Sequence, residues 1–197
     1  MKIVRAFGEN DLVVLHNEFS ENNHQGVGFD IFRIKKGKIV EHWDNLAPKM
    51  PLNSSGRSQI DGTATLDKNA DTKASKKLVK GFVEDILMGK NLSNLESYFN
   101  AQNYIQHNAF VSDGLQGFKA YLSSPLRKTK YKKIHKIIAQ NDFVLVVGEI
   151  EDKMGKQRLA SYDLFRVQND KIAEHWDIIE PILSPKEAKN QNSKFGF

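Results

Sequence analysis

Between Leu78 and Leu87 apolar residues fall at intervals of three and four, through Val79, Phe82, Val83 and Ile86, and this spacing predicts an amphipathic helix. Asp71 or Thr72 suits its N-cap and Gly89 its stop. Shorter helices are expected over Leu92 to Phe99 and, after Asp113-Gly114, over Leu115 to Leu122, with Pro125 ending the last one. Farther on the pattern alternates and predicts strands over Lys130 to Ala139, Phe143 to Glu151, Gln157 to Val167 and Lys171 to Ile179. Residues 12 to 19 also read as a strand, followed by a polar turn from Asn22 to Gly28 and a hairpin about Lys36-Gly37. From Pro48 to about Asn69 apolar residues are sparse, as in a linker or a surface-hugging segment pinned by Met50, Leu52, Ile60 and Leu66.

One hairpin occurs twice. Phe29 to Pro48 recurs as Tyr162 to Pro181, 133 residues later, with 10 of 20 positions identical. Upstream, Glu9 to Glu18 echoes Gln140 to Glu149, whereas the helical segments have no counterpart before the first hairpin. The expected organisation is a partial, C-terminal-half copy over 1–48, a linker over 49–69, a complete domain over 70–184 and a fraying tail over 185–197. The partial copy is expected to hold about three strands, either as a native feature or as the remainder of a longer gene product. The complete domain is expected to be α+β, three helices followed by four long antiparallel strands.

An unbroken ladder across the Asn169-Asp170 turn pairs residues whose numbers sum to 339, so that Asp163 faces Trp176 and Phe165 faces Glu174. That face is expected to meet the helices. A carboxylate walled by an indole is partly desolvated, which suits a general acid or base; the plainer alternative is that Asp163 only accepts structural hydrogen bonds. Arg166, His175 and Asp177 fall on the other face, as a surface or interface network. One histidine beside an arginine argues against a metal set there. His107, in Tyr104-Ile-Gln-His-Asn108, is either a capped or surface histidine or an acid–base partner.

Composition narrows the class. At 40% hydrophobic and 27% charged residues, the chain can build a real core. No apolar run approaches a membrane span and no signal-peptide core stands at the start, so a cytoplasmic protein without membrane contact is expected. The absence of cysteine excludes disulfides, thiolate catalysis and cysteine–zinc sites. Part of the +5 net charge sits at Arg127, Lys128, Lys130, Lys132, Lys133 and Lys136. Such a cluster can meet phosphates, but lysines also guard strand edges. No nucleic-acid motif accompanies them, so no nucleic-acid partner is expected.

Helix, helix, Tyr104-Ile-Gln-His-Asn108, Asp113-Gly-Leu-Gln-Gly117, helix, then Tyr162-Asp-Leu-Phe-Arg166 and Lys171-Ile-Ala-Glu-His-Trp-Asp177 resembles the SnoaL-like polyketide cyclases of the nuclear-transport-factor-two-like superfamily. The resemblance covers about residues 70 to 182, with 3 to 48 as a fragment of a second copy. It implies a cone-shaped sheet wrapped around helices and a deep apolar pocket. It also implies proton transfer α to a carbonyl, in aldol-type cyclisation or isomerisation, without metal or organic cofactor. Carried over by position, Asp163 would be the general acid/base and His107 the second polar group. Tyr104, Phe165 and Trp176 would wall a pocket for a small hydrophobic carbonyl compound. The first copy keeps Asp30, Phe32, His42 and Trp43 but lacks the helices, so it should close no pocket. Since members of the superfamily often dimerise through the convex sheet face, the partial copy is expected to pack on another sheet, in cis or in a homodimer. A non-catalytic ligand-binding or oligomeric assembly module is the alternative.

Overall fold

The computed structural model describes every residue except 22–23, 101–102, 125–128, 153 and 156. Strands β1 (Lys2–Glu9), β2 (Leu12–Glu21), β3 (His24–Lys35) and β4 (Lys38–Pro48) form an antiparallel meander, the first sheet. Helix α1 (Thr72–Phe82) runs into a π turn (Val83–Leu87), followed by a 3₁₀ segment (Leu92–Tyr98), strand β5 (Ile105–Gln106) and helix α2 (Gly114–Ser123). Strands β6 (Thr129–Gln140), β7 (Phe143–Asp152), β8 (Arg158–Gln168) and β9 (Lys171–Pro181) complete a second sheet of order β5-β9-β8-β7-β6, with β5 parallel to β9. Pro125, Arg127, Lys128 and the start of the turn at Asn22 lie outside the described residues.

Local chemistry accounts for most of these elements. The Asp71 carboxylate caps α1, accepting from the Lys73 and Ala74 N–H groups at 2.7 and 3.2 Å. Asn169 and Asp170 both take positive φ, 51° and 55°, as do Lys36 and Gly37 at 50° and 74°, the twist that a tight hairpin requires. The first sheet has four strands where three were expected. Its extra strand, β1, escapes the alternation rule because one of its inward positions is Arg5, which is 1% exposed.

The β8–β9 ladder departs from the expected register. Val167 pairs with Ile172, but Ala173 is then left over, and Arg166 pairs with Glu174, Phe165 with His175, Leu164 with Trp176 and Asp163 with Asp177. Beyond this bulge every side chain of β9 changes face. His175 and Asp177 therefore join Asp163 and Phe165 on the helix side, and Trp176 turns away from it. The β3–β4 ladder slips at the corresponding place, between Arg33 and Ile34.

The second sheet is buried on both faces. On one, Phe82, Phe99 and Phe118 of the helical layer pack on Val144, Val146 and Phe165. On the other, Phe7, Val14, Phe29 and Ile31 of the first sheet meet Phe143, Leu145, Leu164 and Trp176, so the sheet-to-sheet packing is made in cis. Each such side chain contributes on the order of 1.5–3 kcal/mol of burial free energy. The Asn45 amide donates to the Ile178 carbonyl at 2.6 Å, and the Gly8 N–H to Gln140 Oε1 at 2.7 Å, across the same seam.

The segment after β4 is threaded into the fold rather than lying as a linker. Met50 and Leu52 are 37% and 62% exposed; Ile60 and Leu66 pack on the inter-sheet core, and polar side chains hold the rest. Arg5 donates to the carbonyls of Thr63 at 2.6 Å, Ile60 at 3.2 Å and Asp61. Its guanidinium also lies 4.1 Å from the Trp176 ring centre and 3.0 Å from His16 Nδ1. Burial brings the Arg5 pKa down to about 10, which leaves it charged at neutral pH. Gly62, at φ 88°, passes so close that a Cβ would stand 2.8 Å from His107 Nε2. Asn53 Nδ2 donates to the carbonyls of Gln106 and Val111 at 2.7 and 2.9 Å. The tail is likewise docked instead of frayed: Phe195 stacks on His135 at 3.8 Å and Phe197 on Trp43 at 4.6 Å. Lys130, Lys132 and Lys133 sit exposed on edge strand β6, where Lys132 pairs with Glu151 at 2.9 Å.

Two outcomes follow from the seam. Arg5→Met should cost about 2–3 kcal/mol, because three partly buried carbonyls lose a charged donor; urea denaturation measures it. His16 is fully buried beside Arg5, and burial first, then Arg5, pushes its pKa well below the ordinary 6.5. As pH falls below about 6.5 the unfolded chain takes up a proton that the folded chain refuses, so this residue lowers stability by about 1.4 kcal/mol per pH unit. Calorimetry of His16→Gln between pH 7 and pH 5 should show a shallower loss than wild type.

Candidate functional site

The concave face of the second sheet carries a buried polar cluster. Adjacent positions on β8 and β9 supply Asp163, His175 and Asp177, and β5 with the residues after it supplies Gln106 and Asn108. Asp163 Oδ1 lies 3.2 Å from His175 Nε2, and Asp163 Oδ2 accepts from Ser161 Oγ at 2.8 Å and from the Tyr131 hydroxyl at 3.4 Å. Tyr131 arrives from β6 by crossing β7 at Gly148, where a Cβ would come 1.9 Å from its hydroxyl. Phe165 stacks on the His175 ring at 4.6 Å and holds it in place.

Hydrogen-bond logic fixes one proton. Gln106 Oε1 accepts from the Asn108 backbone N–H at 2.9 Å, so this atom is the amide oxygen. His175 Nδ1, 3.1 Å away, must therefore be the donor to it. With Nδ1 protonated, a neutral ring would turn the Nε2 lone pair toward Asp163 Oδ1. The contact is attractive only when a proton lies between the two, as imidazolium with carboxylate or as imidazole with carboxylic acid.

The neighbours are tuned to donate. Burial pushes the Asp177 carboxyl up, the proximity of Asp163 adds to this, and His175 and the Asn108 amide oppose it. Asn108 Nδ2 reaches both Asp177 oxygens, at 2.9 and 2.8 Å. Burial also holds the Tyr104 and Tyr131 phenols well above their usual value, keeping them protonated.

Of the residues expected at the site, Asp163, Tyr104 and Phe165 line one cavity together. His107 and Trp176 do not. They stack on each other at 4.5 Å on the inter-sheet side, where His107 Nδ1 lies 2.7 Å from Asp61 Oδ1 and the Trp176 indole donates to the Asp61 carbonyl at 2.9 Å. The bulge at Ala173 moved Trp176, and alternation along β5 points Gln106 and Asn108 inward with His107 outward. Sequence reasoning placed His175 and Asp177 on the outer face and passed over Tyr131, Gln106 and Asn108. The one available signal was Arg166: it pairs with Glu174 at 3.0 Å, as Arg33 does with Glu41, which fits only the bulged register. Arg166 is consequently not beside the Asp/His cluster and does not oppose a cation there. Ligand atoms of Asp163, His175 and Asp177 lie within 4.8 Å of one another, the reach of a metal set, as do those of Asp30, His42 and Asp44.

The inner cavity measures about 50 Å³ and adjoins an outer one of about 770 Å³, the two sharing Asn108, Tyr121, Thr129, Asp177 and Ile179. Among the described residues no helix is long and apolar enough to cross a membrane.

Comparison with solved structures places the fold. A candidate ketosteroid isomerase of Kribbella flavida matches with a TM-score of 0.52 and 12% identity, over 64% of this chain and 96% of that one. An NTF2-like protein of Burkholderia xenovorans (20% identity, 57% and 93% of the two chains, TM-score 0.45) and a candidate polyketide cyclase of Acidithiobacillus ferrooxidans (10%, 54% and 87%, 0.45) are more distant. No family model and no curated protein matches the chain. What the likeness to the Kribbella flavida structure shows is the fold: an α+β arrangement of helices packed on a largely antiparallel sheet.

Asp177→Asn tests the electrostatics. The folded pKa of Asp177 is raised, so between about 3.9 and that value the folded chain holds a proton that the unfolded chain releases, and stability falls as pH rises through the window. Removing the carboxyl should leave the melting temperature at pH 7 equal to or above that of wild type, and lower the relative benefit near pH 3.5.

Proposed function

We propose that the chain is a small-molecule acid–base protein whose Asp163–His175 dyad moves a proton α to a carbonyl, in an isomerisation or aldol-type cyclisation. The observation that supports this is the 3.2 Å contact between Asp163 Oδ1 and His175 Nε2 on the wall of a cavity. In the imidazolium–carboxylate form, Asp163 takes the α-proton of the substrate and the electron pair moves onto the carbonyl oxygen. Tyr131 is the donor available to that oxygen, and His175 returns a proton to complete the turnover. Gln106 is a positioning residue that sets the His175 tautomer. The first sheet we read as the half-copy of a duplicated domain that covers the convex face of the complete one.

One observation favours a second reading, a binding or assembly module. The first sheet repeats the dyad at the surface, beside a cavity of about 840 Å³ lined by His42, Trp43, Asp44 and the tail: His42 Nε2 lies 2.7 Å from Asp30 Oδ1, with Phe32 stacked on His42 at 4.4 Å. A cross-strand Asp–His pair can therefore be purely structural.

Two measurements separate the readings. Deuterium incorporation α to the carbonyl of a methyl ketone in D₂O, followed by NMR, should be accelerated by wild type and drop about 10²-fold or more in Asp163→Asn. The melting temperature of that variant should hold or rise, as for a group retained for function. A fall of several degrees, on the order of 1–2 kcal/mol, matched by Asp30→Asn, would assign both pairs a structural role.

A further inference from the structure

We infer that the ligand is an elongated, uncharged compound that inserts only a small terminal carbonyl beside the dyad and keeps its apolar body in the outer cavity, outside the cone. This rests on the carbonyl reading above and adds the shape and charge of the molecule. Size carries the argument. The inner cavity, about 50 Å³, has room for roughly two water-sized groups, enough for a carbonyl with its methyl and too little for a ring system. The outer cavity, about 770 Å³, lies in the range of sites that enclose whole organic ligands. Asn108, Asp177 and Tyr121 belong to both walls, so one molecule can span them.

Chemistry narrows the occupant. The outer wall is built largely from Pro48, Met50, Phe110, Ala120 and Ile179, and Phe110 is 78% exposed, an aromatic face without cover. Pro48 and Met50 come from the end of β4 and the threaded segment, which no single cone would supply. Among the described lining residues of both cavities there is no lysine or arginine, while Asp163 and Asp177 stand at the inner end. A carboxylate or phosphate head would give up its hydration there without gaining a lysine or arginine partner, so a neutral ketone or aldehyde is admitted and a fatty acid is refused.

Methyl ketones from butan-2-one to undecan-2-one, measured by calorimetry, test this. Affinity should rise about fourfold per methylene, the increment for burying one such group, and decanoate should bind at least tenfold more weakly than the ketone of equal length. Ala120→Trp and Met50→Glu, both at solvent-exposed positions on separate elements, should flatten the chain-length dependence. A flat dependence in wild type, a slope unchanged in both variants, or equal binding of decanoate would overturn the inference. Asp163→Asn distinguishes the two layers: if it leaves ketone affinity and α-exchange unaltered while the slope persists, the dyad reading fails and the outer site stands.

Discussion

One unpaired residue, Ala173, decides which side chains meet in this protein. Upstream of it β9 follows the register set by the Asn169-Asp170 turn; downstream every side chain has changed face. The step exchanges an indole and a glutamate for an imidazole and a carboxylate on the concave side. Without it Asp163 would look at Trp176, and the chain would have a walled acid with no proton partner. With it, Asp163, His175 and Asp177 converge, while Trp176 becomes the surface on which Arg5 and His107 stack.

The same step shapes the seam between the sheets. Glu174, displaced to that side, pairs with Arg166 and accepts from Thr63, and Trp176 stands under the guanidinium of Arg5. Arg5 gathers the carbonyls of residues 60, 61 and 63 and so draws the segment after β4 into the fold. That segment in turn reaches the site: Asn53 holds the backbone about Gln106 and Val111, and Gln106 orients His175. Seam and site are two faces of one sheet, joined by a short chain of hydrogen bonds.

The two hairpins show how surroundings convert a shared motif into different chemistry. Both hold an aspartate against a histidine with a phenylalanine stacked on the ring. In the first sheet no helix covers the pair, and the His42 side chain is 43% exposed; in the second, helices, Tyr131 and Gln106 enclose it, and the His175 side chain is 10% exposed. Burial keeps bulk solvent from the second pair, whereas the first remains open to it.

Much of this was legible in the residues alone. Helix α1 shows in the spacing of Val79, Phe82 and Ile86, the hairpins in Lys36-Gly37 and Asn169-Asp170, and the relation between the two sheets in ten repeated positions, because these are local or self-referential signals. Asp163 and Phe165 lie on β8, whose own alternation the bulge in β9 leaves unchanged, so they share the helix side; Tyr104 was expected only from the family resemblance. What the sequence by itself determined was therefore most of the inventory: the elements other than β1, their class and the repeated Asp/His/Asp spacing. The tertiary structure decided the partnerships. It alone set His175 rather than His107 beside Asp163, brought Tyr131 across Gly148, and folded a polar segment into a wall. Each depends on a register step or a long-range contact that leaves no local pattern, since an extra residue in a strand costs nothing that its neighbours in sequence can display.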